Sequence, residues 1–124
     1  MRFLAIVLCT GSLLTALLDA HHSATPVYNV ETTISISGVV RSFRFVNPHS
    51  MMMLEVKDPS GKVVLWTVEF PGVLNLSEAG WTAKSVAVGE SVTVTGNPTH
   101  SASPRIFFRR IQKADGTQLF STAS

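Results

Sequence analysis

Cysteine is almost absent from this chain, with one residue, Cys9, among 124. A single thiol forms no internal disulfide, so the fold must rest on its hydrophobic core alone. Charge is sparse as well. Asp, Glu, Lys and Arg make up 15% of the residues and the formal net charge is +2. That charge is too small to argue for nucleic acid as a partner. The usual catalytic signatures are missing: no Ser-His-Asp set is flagged by spacing and no glycine-rich phosphate loop is present. Glu55 and Glu69 fall on neighbouring predicted strands and are expected on opposite faces, which leaves no carboxylate pair. A non-enzymatic protein is expected. No apolar run reaches the ~20 residues that a membrane span needs.

The one apolar stretch is at the start. Met1-Arg2 carries a positive charge, Phe3 to Leu18 holds no charged residue, and Asp19-Ala20 follows. A basic start, an apolar run and a terminal small residue describe a secretory signal peptide. Cleavage is expected near Ala20, giving a periplasmic or secreted protein that begins at His21. Cys9 leaves with the signal, and Leu8 before it does not suit a lipid-attachment site. Arg2 and Asp19 leave together, so the net charge is unchanged. The expected organisation is a signal peptide at 1–20, an N-terminal arm at 21–31 and a single domain at 32–124, large enough for one core.

From Thr32 onward the chain reads as strands. "TISISGVVRSFRFVNP" (33–48) alternates and contains a glycine where a long strand can bend. Asn47-Pro48 ends it, since proline lacks the ladder donor. "SMMMLEVK" (50–57) and "KVVLWTVEF" (62–70) flank the turn-forming "DPSG" and predict a hairpin. "PGVLNLSEAGWT" (71–82) breaks the alternation. It predicts a short helix over about 73–79, stopped near Gly80. "VGESVTVTG" (88–96) and "SPRIFFRRIQKADGTQLF" (103–120) supply the remaining strands, the latter with an Asp-Gly turn. The order predicts an all-β fold: a small, five- to six-stranded OB-fold-like Greek-key barrel with one short helix between strands 3 and 4. Its predicted core is Val39, Met52, Leu54, Val56, Leu65, Val92, Val94, Ile106 and Phe108. Arg105, Arg109 and Arg110 read as solvated charges on a strand edge.

His21-His22-Ser23, Gly38-Val39-Val40, Asn47-Pro48-His49, Trp66 with Glu69, Gly80-Trp81-Thr82, Val88-Gly89-Glu90 through Gly96, and Asp115-Gly116 follow one another along the chain. The ordered set resembles a family of small exported bacterial proteins of unknown function. The resemblance implies export and a small barrel, and it brings no activity with it. Met51 and Met53 depart from that pattern, where larger aromatic or branched residues are common.

The histidines carry the candidate chemistry. An N-terminal His21 would offer an α-amine and an imidazole, both of which deprotonate near neutral pH. His22 adds a second imidazole. Among divalent ions copper binds such nitrogen sites most tightly. His49 enters strand two at the same parity as Met51 and Met53, so all three leave one face. A four-residue loop at 58–61 would place Trp66 opposite Met53, whereas an odd loop would flip strand three and remove Trp66 from the set. One His, two Met and one Trp are also the residue types at the site of small periplasmic copper and silver chaperones, but here the Trp follows the methionines. The expected metal set is therefore His21, His22, His49, Met51, Met53 and Trp66, with copper as the ion. The alternative is a non-metal module binding a peptide, a glycan or a periplasmic partner protein. An accessory domain of an oxidase or transporter complex is a third reading.

Overall fold

The structure is a computed structural model and describes residues 27–121. Six strands and one helix follow in order: β1 (Ile34–Arg44), β2 (Met51–Lys57), β3 (Val63–Glu69), α1 (Val73–Glu78), β4 (Ser91–Pro98), β5 (Arg105–Lys113) and β6 (Gln118–Phe120). They form a sheet of order β3-β2-β1-β4-β5-β6, and a parallel pairing of β3 with β5 closes five of them into a barrel. This is the expected OB-like architecture, with β6 added beside β5. Among the described residues no helix is long and apolar enough to cross a membrane.

β1 serves two partners, β4 along its first half and β2 along its second. Gly38 lies where it changes partner. A Cβ at Gly38 would stand 2.2 Å from the carbonyl oxygen of Glu55. Only glycine allows that approach. Arg41 is an extra residue opposite β2, because Val40 faces Leu54 and Ser42 faces Met53. Such a bulge bends the strand and shifts its alternation by one. Ile34, Ile36 and Val40 therefore face inward before it, and Phe43 after it. Val40 is fully buried, in place of the expected Val39, because it continues the parity of Ile34 and Ile36. Arg109 is a second extra residue, on β5, which turns Ile111 inward after Phe108.

The β2–β3 register also departs from expectation. Leu54 pairs with Trp66 and Met51 with Glu69, because the loop is the five residues 58–62 and not four. Asp58 shapes it by accepting hydrogen bonds from the backbone N–H groups of Ser60 and Lys62, each at 2.9 Å. The flip puts Trp66 on the core side and Leu65 outside, where it is 49% exposed. It also places Glu55 and Glu69 on one face. They still form no carboxylate pair, since Glu55 bonds to Arg41 and Glu69 to other partners.

Met52, Leu54, Val68, Val94, Ile106 and Phe108 are fully buried, and the rings of Phe43, Phe70, Trp81 and Phe108 stack and edge against one another with centroids 4.3–5.9 Å apart. α1 plugs this core with Leu76. It stops as predicted. Gly80 takes φ +89°, and the N–H groups of Gly80 and Trp81 bond back to the carbonyls of Ser77 and Leu76. This arrangement satisfies the orphan carbonyls and presses Trp81 onto Leu76.

Candidate functional site

The segment 45–50 joins β1 to β2 at the barrel end where a loop also joins β4 to β5. These two loops line the usual ligand face of an OB barrel. The first is clamped to the start of α1. Asn47 Oδ1 accepts the Val73 N–H at 2.9 Å, and the Ser50 hydroxyl donates to the Val46 carbonyl at 3.1 Å. Gly72 permits the contact, because a Cβ there would lie 2.6 Å from the Pro48 carbonyl oxygen. The Asn-Pro-His sequence thus has a structural task at its first residue and leaves the third to point elsewhere.

His49 turns its Nδ1 to Glu69 Oε1, 2.5 Å away. Glu69 ends β3 on the outer face and is 8% exposed, with Met51 and Phe107 as its cross-strand neighbours. Its other oxygen, Oε2, accepts the Tyr28 hydroxyl and Arg105 Nη2, the latter at 2.7 Å. Arg105 Nε also donates to the Tyr28 oxygen at 2.8 Å, and its guanidinium lies over the Tyr28 ring at 5.9 Å. One carboxylate therefore joins three parts of the chain: the N-terminal arm, the β1–β2 loop and the start of β5.

Tyr28 is held firmly enough to serve. It is 2% exposed, bridges to Thr99 and packs its ring 5.3 Å from Phe107. Asn29 N–H bonds the Pro98 carbonyl at 2.8 Å, and Asn97 Nδ2 bonds the Thr32 carbonyl at 2.8 Å. The arm is thus anchored by Tyr28, while Val27 and Val30 stay exposed.

Burial alone pushes the Glu69 carboxyl up, but hydrogen bonds from Tyr28, Arg105 and His49 outweigh it and hold the group below its ordinary value. Burial also pushes the Tyr28 hydroxyl well above its ordinary value, and the neighbouring Glu69 adds to the shift. The physical picture is an ionised carboxylate saturated by donors. His49 keeps a side chain 53% exposed beside a carboxylate 11% exposed. A histidine held by a carboxylate on one nitrogen and open to solvent is the arrangement of a metal-ligating imidazole or of a proton-transfer group.

His21 and His22 lie outside the described residues. Met51 and Met53 share the outer face with Glu69, and Met53 Sδ accepts the Thr67 hydroxyl at 3.7 Å. Trp66 is not brought to this face. It belongs to the core side, so it leaves the expected set. Among the described residues no group of three or more His, Cys, Asp and Glu could hold a metal ion. His49 is the one imidazole they bring to the Glu69 carboxylate.

A family profile described as a family of unknown function (DUF6152) matches residues 10–106. The chain belongs to that family. No curated protein matches the chain. Membership in DUF6152 agrees with the uncharacterised family expected from the motifs.

Arg105 was expected as a solvated edge charge, but its ion pair with Glu69 ties β5 to β3. Glu69 was missed as the partner of His49, and Tyr28 as a partner of Glu69. Tyr28 is the one tyrosine of the chain, and Glu69 is the one acid in the apolar stretch 62–70. Both were visible as isolated polar groups. What joined them was the strand register.

Proposed function

We propose that this DUF6152 member is an exported, non-enzymatic protein that binds a transition metal, copper first among them, at the barrel end carrying His49. His49 supplies a fixed imidazole. His21, through its amine and ring, and His22 supply further donors on the arm. The observation that carries the reading is the 2.5 Å contact of His49 Nδ1 with Glu69 Oε1. Tyr28 supports it, because the arm is fastened to the same carboxylate. Four residues separate His22 from Val27, so the chain keeps His22 within about 18 Å of the anchored part of the arm. Met51 and Met53 sit on the same face and would favour a softer ion such as Cu(I).

Calorimetry with a competing chelator tests this on protein beginning at His21. Adding Gly-Ser before His21 should weaken Cu(II) binding at least tenfold, and His49→Ala should weaken it independently. Equal affinity in all three proteins contradicts the proposal. In that case a second reading gains. A groove of about 380 Å3 lies between β1 and the β2–β3 hairpin, walled by Ile36, Val56, Val64 and Trp66. It suits a module that docks a partner's apolar side chain.

A further inference from the structure

We infer that Glu69 locks His49 with its proton on Nδ1, so that Nε2 is the atom the barrel offers to a metal, with Arg105 and Tyr28 holding the carboxylate in place. The metal half of this inference rests on the reading above, whereas the tautomer half stands on geometry alone. An ionised carboxylate only accepts hydrogen bonds. Oε2 already takes two donors, the Tyr28 hydroxyl and Arg105 Nη2. Oε1 faces His49 Nδ1 at 2.5 Å, so that contact needs a proton on Nδ1. In the neutral ring Nε2 then carries the lone pair. The hydrogen bond made by one ring nitrogen decides which nitrogen is available to a metal.

In the same geometry both Glu69 oxygens already accept hydrogen bonds, which suits the carboxylate to hold the imidazole. It also removes an objection to a cation near Arg105. The guanidinium charge faces Glu69, 2.7 Å away, and the pair is close to neutral as seen from the His49 ring. Arg105 and Tyr28 are positioning residues one step further out. They bond each other as well as the carboxylate, so Glu69 cannot swing away without breaking a closed ring of contacts.

The test begins without metal. Long-range 1H–15N spectra of the protein beginning at His21, at a pH where its imidazoles are neutral, report which ring nitrogen is protonated. His49→Ala assigns the signals. A protonated Nδ1 and bare Nε2 are expected for His49, and a protonated Nε2 overturns the inference outright. Glu69→Ala should erase the preference, while Glu69→Gln, which keeps an acceptor oxygen and guards against misfolding, should retain much of it.

Cu(II) affinity is then measured on the same set. Loss of such a partner costs about 10–100-fold in metal affinity. Glu69→Ala should fall in that range in the native background and have no effect when His49 is already Ala. An equal loss in both backgrounds would show that Glu69 acts on structure and not through His49, and would overturn the positioning role. If the tautomer is as assigned but His49→Ala leaves Cu(II) affinity unchanged, the metal half fails while the tautomer stands.

Discussion

Leu54 and Leu65 sit one step apart in the β2–β3 hairpin, on opposite faces, and together they test its register. Leu54 is fully buried opposite Val40 and Trp66. Its Cγ stands 3.1 Å from the point a Cβ on Gly38 would occupy, so it packs directly over the bend in β1. Leu54→Ala removes about three carbon groups from the core, roughly 2.4 kcal/mol of transfer free energy, and leaves a cavity that raises the total to about 2–5 kcal/mol. Leu65 is 49% exposed, so its truncation forfeits at most about half of that transfer, about 1.2 kcal/mol, and opens no cavity. A domain of this size shifts its Tm by about 4–8 °C per kcal/mol, so Leu54→Ala should melt at least about 8 °C lower and Leu65→Ala should shift by about half as much or less. Denaturant titration and thermal melts of both variants decide the matter. Comparable losses, or a larger loss for Leu65→Ala, would mean that strand three is slipped by one residue and that Trp66 belongs on the outer face.

Gly96→Ala should prevent the barrel from closing normally, because the new Cβ would stand 2.1 Å from the Phe107 carbonyl oxygen; a soluble variant with native near-ultraviolet circular dichroism contradicts this. Acid should destabilise the metal-free protein through Glu69. Its carboxyl is held below the ordinary value, so its contribution is complete above pH 4.5 and is lost as pH falls through the folded-state value. Glu69→Gln should therefore lose less stability between pH 5 and about pH 3 than the parent. Equal acid sensitivity of the two proteins would show that the cluster is not held by an ionised Glu69.

The element order was legible because each signal was local. "DPSG" between two apolar runs announces a hairpin, and Gly80 ends α1 with the backbone bonds expected of it. What the sequence hid was parity. The hairpin loop has five residues because Asp58 reaches as far as the Lys62 N–H, and one residue more or fewer exchanges the faces of the whole strand. The bulge at Arg41 does the same within β1, which is why Phe43 turns inward after Val40. No periodicity count reveals either, since both depend on contacts across the sheet. The site suffered from the same gap. His49 was singled out by its motif, but its partner Glu69 lies 20 positions away along the chain, and the Tyr28 and Arg105 that hold Glu69 lie 21 and 56 positions from His49. Only the closed barrel, with β3 beside β5, brings them to one point.

The central claim is that His49 and the arm histidines share one ion at the barrel end. Cu(II) is paramagnetic and erases amide NMR signals close to it, so substoichiometric Cu(II) added to 15N-labelled protein beginning at His21 maps the site directly. The account predicts that signals around His49, Glu69 and Arg105 disappear together with those of the arm, and that His49→Ala restores the barrel signals. Broadening confined to residues 21–26, or spread without focus over the surface, would contradict it.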